Sequence, residues 1–228
     1  MENESHNKER TKLQIKVSHI QIGIIIILVG LLMYGLGKTS VGNATGSVIQ
    51  TQTNSALNII PTGTPAVYGE ELKIKYDDIS PSNQKLADET IRRLGNIDKS
   101  EKLDGKNLER YINVLYKLEN GISCEYCCGA RAVIFENGEP ACGCAHSYAM
   151  RGLAKYLIKF HGDEFTDEEL LNEIGKWKVL FFPDIMENKA KILEANGIDS
   201  TNYINLASNK YRDIEKGQKS GGSMVGGC

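Results

Sequence analysis

Five of the six cysteines of this 228-residue chain lie within 21 residues, and this clustering constrains the fold more than any other feature. The segment begins with Cys-x-x-Cys, followed at once by a third cysteine, and it ends with Cys-x-Cys-x-His. Two such groups, brought together by a turn between them, can surround one tetrahedral ion. The candidate metal ligands are Cys124, Cys127, Cys128, Cys142, Cys144 and His146.

The spacing favours Cys124, Cys127, Cys142 and Cys144 as the ligands of one metal ion, with His146 or Cys128 as an alternative or additional ligand. Zinc is the expected metal, because four thiolates without an open position are typical of a structural site. Copper is the alternative metal, because adjacent thiols and a Cys-x-Cys pair suit soft ions such as Cu(I). Structural disulfides and a redox-active dithiol are the two other interpretations that the cysteines leave open.

The second cysteine group stands at the start of a predicted helix. The unpaired N–H groups and the dipole of a helix N-terminus favour a thiolate over a thiol. Met150 follows on the same helix and is predicted to be a core residue rather than a soft ligand.

The order of a cysteine knuckle, a turn, and ligands at a helix N-terminus resembles, by analogy, a treble-clef zinc finger. The hexapeptide Glu139–Cys144, followed by His146, is similar to the motif of the PCYCGC-motif proteins, a prokaryotic group of exported, membrane-attached proteins. The Cys-Gly-Cys matches that motif, whereas Pro140 stands where the family has its first cysteine. The resemblance implies an extracytoplasmic domain that binds a metal and has no known catalytic activity.

A second feature is an apolar run, residues 17–37, that contains no charged residue. As a helix it would be about 32 Å long, close to the thickness of a bilayer core. Basic residues are concentrated in 1–16, which places that end in the cytoplasm and the rest of the chain outside. The sequence thus predicts a single-pass protein of the cell membrane with an extracytoplasmic C-terminal domain. A cleaved signal peptide is the competing interpretation.

Composition divides the rest of the chain into three parts. Residues 38–69 are almost uncharged and rich in Thr, Ser, Asn and Gly, which predicts a flexible stalk. Residues 70–216 carry the helical patterns and the cysteines. The Gly/Ser-rich end, 217–228, is predicted to be a flexible tail. Its terminal thiol, Cys228, is either incidental or reaches the cluster or the metal of a protein partner.

Caps, apolar spacing and stop signals predict a mostly α domain. Its helices are expected to begin near Ser80, Asp104, Ala145, Thr166, Asp184 and Asn202. One small β-hairpin is expected between the cysteine groups, because a β-prone run, Ala132–Phe135, precedes Asn137-Gly138.

The net charge of −2 argues against a nucleic-acid-binding protein. The sequence shows no P-loop, dinucleotide fingerprint, zincin motif or nucleophile elbow, so no enzyme class is indicated. The predicted function is a membrane-anchored, extracytoplasmic metal-binding domain with a structural or metal-handling role. The alternatives are a thiol–disulfide oxidoreductase and a disulfide-stapled interaction domain.

Overall fold

The computed structural model describes residues 58–216 and 224–227, and within these ranges the chain is helical and forms no strand. The α-helices there are α1 (Gly69–Leu72), α2 (Gln84–Ser100), α3 (Gly105–Ile112), α4 (Ala145–Phe160), α5 (Asp167–Phe181), α6 (Pro183–Ala195) and α7 (Tyr203–Ala207). A π-helical turn, Asn113–Lys117, continues α3, and short 3₁₀ turns occur at Tyr76–Asp78, Leu118–Asn120 and Asn209–Tyr211.

Local sequence signals account for the ends of the longer helices. Helix α4 has the bounds that the sequence predicts, with Cys144 as its N-cap. The predicted capping box of α5 is confirmed, since the Thr166 hydroxyl accepts a hydrogen bond from the N–H of Glu169 and the Glu169 carboxylate accepts one from the N–H of Thr166. Pro183 occupies the first turn of α6, where its missing N–H costs nothing.

The core is centred on the packing of α2 against α4. At Gly152 of α4 a Cβ atom would overlap the carbonyl oxygen of Leu94 in α2, so glycine allows the two backbones to approach closely. Met150 and Trp177 are fully buried nearby, and the prediction of Met150 as a core residue is confirmed. The close α2–α4 contact holds the N-terminus of α4, and therefore the second cysteine group, at a defined place.

The predicted β-hairpin is wrong. Within the described residues this region contains only an isolated antiparallel bridge, between Ile134 and Pro140. The turn itself forms, because the N–H of Gly138 donates to the carbonyl of Phe135. The N–H of Ala141 donates to the carbonyl of Val133, but the N–H of Val133 donates to the carbonyl of Ile122 and not back to Ala141, so the pairing does not extend into strands.

The prediction of a single-pass membrane protein is also corrected. Among residues 58–216 and 224–227, the structure has no helix with the length and apolar character needed to cross a bilayer. The predicted spanning segment, 17–37, and the basic segment before it lie outside the described residues. The structure therefore does not support the fold class with a membrane helix or the predicted cell-membrane localisation.

The last part of the predicted stalk is packed against the domain. Ile59 and Tyr68 are each only 1% exposed. The Tyr68 hydroxyl donates to the Glu173 carboxylate over 2.6 Å and accepts a hydrogen bond from the indole N–H of Trp177. These buried contacts make residues 58–69 part of the helical domain, unlike the expectation of a flexible segment.

Candidate metal centre

The cysteines lie on two irregular segments that meet at the N-terminus of α4. The first follows the 3₁₀ turn Leu118–Asn120 and reverses direction at two residues with left-handed backbone, Glu125 (φ 59°) and Gly129 (φ 67°). The second enters α4, with Cys144 as the N-cap residue. A hydrogen bond from the N–H of Val133 to the carbonyl of Ile122, 2.9 Å long, ties the chain between them back onto the first segment.

Four sulfur atoms converge where these segments meet. Cys124, Cys128 and Cys142 form a group that could hold a metal ion, with all ligand atoms within 4.8 Å of one another. The Sγ of Cys124 lies 3.7 Å from that of Cys128 and 3.9 Å from that of Cys142. The Sγ of Cys144 lies 3.5 Å from both Cys124 and Cys142. The sulfurs of Cys128 and Cys142 are at disulfide-bonding distance.

Four of these separations are close to the sulfur–sulfur distances of a thiolate metal site. A zinc–sulfur bond of about 2.3 Å gives a tetrahedron whose sulfur–sulfur edges are about 3.8 Å. Four separations, of 3.5–3.9 Å, lie around this value, whereas the sulfurs of Cys128 and Cys142 are much closer, at disulfide-bonding distance. Cys124, Cys128 and Cys142 therefore form a group that could hold an ion, Cys144 lies next to two of them, and one pair of the group is placed for a disulfide.

The structure selects among the predicted ligands. Both Cys127 and Cys128 are exposed, but the group that could hold a metal ion contains Cys128 and not Cys127, which the spacing favoured. His146 is fully buried, and its ring packs against Phe181 and Phe182, with centroids 4.8 and 5.1 Å away. Its Nε2 donates a hydrogen bond to the carbonyl of Val225 over 2.8 Å. His146 thus shares in the apolar core behind the cluster.

The start of α4 stabilises a thiolate at Cys144. Its hydrogen bond with the Cys124 thiol lowers the pKa of Cys144 to about 6, although burial acts in the opposite direction. The hydroxyl and the backbone N–H of Ser147, 3.2 and 3.4 Å from the sulfur, lower this pKa further. The same contact with Cys144, together with burial, raises the pKa of Cys124 well above its usual range. The surroundings of Cys144 therefore favour its thiolate form.

Arg151 of α4 holds the backbone of the second cysteine segment through hydrogen bonds. Its guanidinium is fully buried and pairs with the Asp98 carboxylate of α2 at 2.8 Å. One of its nitrogens donates to the carbonyl of Cys142 at 2.8 Å and to the carbonyl of Val133 at 3.2 Å. A planar guanidinium with several donors can hold two carbonyls and a carboxylate at once. Arg151 thereby fixes the backbone that carries Cys142.

A buried charge network holds the first cysteine segment. Glu125, the residue after Cys124, turns its carboxylate inward to Lys178 of α5, 3.0 Å away, and to Lys189 of α6, 4.0 Å away. Burial opposes its ionisation, but the two lysines outweigh this effect and lower the pKa of Glu125 to about 2. Burial also lowers the pKa of Lys178 to about 8, against the attraction of Glu125. The ion pairs anchor the loop of Cys124 and Cys128 to two helices of the core.

Residues 224–227, the C-terminal strap, pack beside His146. The Val225 side chain is fully buried, and its N–H donates to the carbonyl of Phe181 at 3.0 Å. The N–H groups of Gly226 and Gly227 donate to side chains of α2. These contacts differ from the flexible tail that the composition predicted. The cysteine of the predicted reactive tip, Cys228, lies outside the described residues.

Sequence reasoning missed several residues that shape the site: Ser147, Arg151, Glu125, Lys178 and Val225. Ser147 could have been found, because it stands three residues after an N-cap, where side chains return to the cap. Arg151 interrupts the apolar face of α4, which is a signal of a buried partner. The other three act across long sequence separations, and no local pattern marks them.

The fold and the site together define a class of protein, a helical domain organised around a cluster of four cysteines. No family model matches the chain, and neither a curated protein nor a solved structure matches it significantly. The similarity to the PCYCGC-motif proteins rests on the matching letters alone and stays a prediction.

Proposed function

We propose that the cluster binds one Zn²⁺ ion through Cys124, Cys128, Cys142 and Cys144 and that the ion has a structural role. The observation that supports this most strongly is the group of Cys124, Cys128 and Cys142, whose sulfurs lie within 4.8 Å of one another, with the Sγ of Cys144 3.5 Å from two of them.

The surroundings favour a structural role over a catalytic one. Four thiolates complete the coordination of zinc and leave no position for water or a substrate. The segment between the cysteine groups has little regular hydrogen bonding, so a metal ion would cross-link it to α4. Zinc removal would then loosen this segment while the helices around Trp177 keep their own apolar contacts.

The direct test is metal analysis of the full chain, purified under reducing conditions, combined with a thiol count. We expect about one equivalent of zinc per chain at a four-thiolate site. Cys128→Ser should lose most of this zinc, whereas its matched control Cys127→Ser should retain it. Zinc that depends on Cys127 and not on Cys128 would contradict the proposed ligand set. A reduced chain without metal would refute metal binding altogether.

Copper is the alternative ion, because the same sulfur donors suit Cu(I). Loading the reduced chain with equimolar Zn²⁺ and Cu(I) under anaerobic conditions, followed by removal of weakly bound metal, distinguishes the two. Retention of zinc at competing concentrations supports the proposal, while complete displacement by Cu(I) would favour copper binding.

A thiol–disulfide oxidoreductase is a second candidate function, and the disulfide-distance pair Cys128–Cys142 favours it. An oxidoreductase would reduce a protein disulfide, such as that of insulin, in the presence of a thiol reductant. A structural metal centre would show no such turnover when loaded with zinc. A disulfide-stapled interaction domain would give neither metal nor reductase activity, and its thiols would be oxidised.

A further inference from the structure

We infer that the cluster exchanges with low-molecular-weight disulfides and that formation of the Cys128–Cys142 disulfide expels the bound metal. This inference rests on the proposed metal function and adds a second chemistry at the same site. Cys128 and Cys142 both belong to the group that could hold a metal, and their sulfurs also lie at disulfide-bonding distance. A sulfur in a disulfide is no longer a thiolate ligand, so the two states exclude each other.

The two ends of this pair differ in their access to solvent. Cys128 is exposed, whereas Cys142 is 5% exposed. The neighbouring Gly129 has open space around it, which leaves room for an incoming molecule. Exchange depends on access to the sulfur that is attacked or attacks. Cys128 is therefore the point of entry, and Cys142 is the buried partner that resolves the reaction.

The remaining two cysteines stay beside the pair. The Sγ of Cys124 is 3.7 Å from that of Cys128, and the Sγ of Cys144 is 3.5 Å from that of Cys142. The oxidised cluster thus keeps two thiols next to the disulfide, and both are ligands of the proposed metal site. Reduction of a single bond is enough to restore all four donors without a large movement of the chain.

The reaction balances with a low-molecular-weight disulfide, RSSR, as the oxidant. The Cys128 thiolate attacks one sulfur of RSSR, which forms a Cys128–SR mixed disulfide and releases RS⁻. The Cys142 thiolate then attacks the Cys128 sulfur, the bond to SR breaks, and a second RS⁻ leaves. The protein thiolates lose two electrons and RSSR gains them, while the metal loses two of its four ligands. Excess thiol reverses both steps, beginning at the exposed Cys128.

The test uses the full chain, reduced and loaded with zinc, to which oxidised glutathione is added under anaerobic conditions. A chromogenic zinc chelator reports metal release, and peptide mapping identifies the disulfide. We expect release of about one zinc ion per Cys128–Cys142 bond formed, and recovery of zinc binding after addition of reduced glutathione. Cys127→Ser should behave in the same way. In Cys142→Ser, Cys128 should stop at the glutathione mixed disulfide, seen as a mass adduct.

The outcomes separate this inference from the function on which it rests. Absence of zinc before the oxidant is added refutes the proposed metal centre. Zinc that is present but stays bound when glutathione disulfide is added refutes the switch and leaves the metal centre standing. A disulfide that maps to Cys124–Cys144, or exchange that is lost in Cys127→Ser, contradicts the assigned entry point.

Discussion

The buried carboxylate of Glu125 allows a quantitative test of how the cysteine loop is held. In Glu125→Gln the side chain keeps its shape but loses its charge, so it mimics the protonated acid. The side chains of Lys178 and Lys189 are fully buried, and in this variant their positive charges repel each other without the neutralising charge of Glu125. Removing one partner of a buried ion pair typically destabilises a protein by about 3–5 kcal/mol.

The pKa of Glu125 gives an independent magnitude. The fold lowers this pKa to about 2 from an ordinary value of 4.5, and each pH unit corresponds to about 1.36 kcal/mol. The ionised carboxylate therefore stabilises the fold by about 3 kcal/mol at neutral pH, in agreement with the ion-pair value. For a domain of this size, Glu125→Gln should lower the Tm by about 6–12 °C.

The assay is thermal unfolding of the full chain, followed by circular dichroism at 222 nm, with Glu136→Gln as the matched control at an exposed glutamate. The control should change the free energy of unfolding by less than about 0.5 kcal/mol. Because the pKa of Glu125 is lower in the folded state, its contribution is complete above about pH 4.5 and is lost as the pH falls towards 2. The difference between wild type and Glu125→Gln should shrink over this range. A Tm of Glu125→Gln equal to that of Glu136→Gln at pH 7 would refute the reasoning.

Substitutions at three further positions test the packing and the helix capping of the fold. Gly152→Ala should destabilise the fold by about 1–3 kcal/mol or more, measured by urea unfolding, because the new methyl group overlaps the Leu94 carbonyl. Thr166→Ala should cost about 1 kcal/mol in the same assay through loss of the capping box, and Thr166→Ser should recover most of it. Gly226→Ala should release the C-terminal strap, because its Cβ overlaps Ile91 and the residue has φ of 81°. Faster amide exchange at Val225 would show this, and unchanged exchange would contradict the assigned packing.

The local parts of this protein can be derived from its sequence. Helix α4, with its cysteine N-cap, follows from an apolar period bounded by a turn, and the capping box of α5 follows from a threonine and a glutamate at the required spacing. The meeting of two cysteine groups at one helix N-terminus follows from their spacing as well. The expected hairpin is wrong because the N–H of Val133 donates to Ile122, on the first cysteine segment, and the turn signal at Asn137-Gly138 contains no information on that contact.

Tertiary structure decided which side chains make up the site. In Cys-x-x-Cys-Cys the spacing leaves open which of Cys127 and Cys128 lies beside the other sulfurs, because that depends on the left-handed backbone at Glu125. This conformation is held by lysines more than 50 residues away in the sequence. His146 was a candidate ligand because it stands two residues after Cys144; in the fold its ring packs against Phe181 and Phe182, and its Nε2 donates to the carbonyl of Val225. Local patterns set helices and caps, whereas the direction of a side chain in an irregular loop is set by long-range burial and charge pairing, which no short stretch of sequence contains.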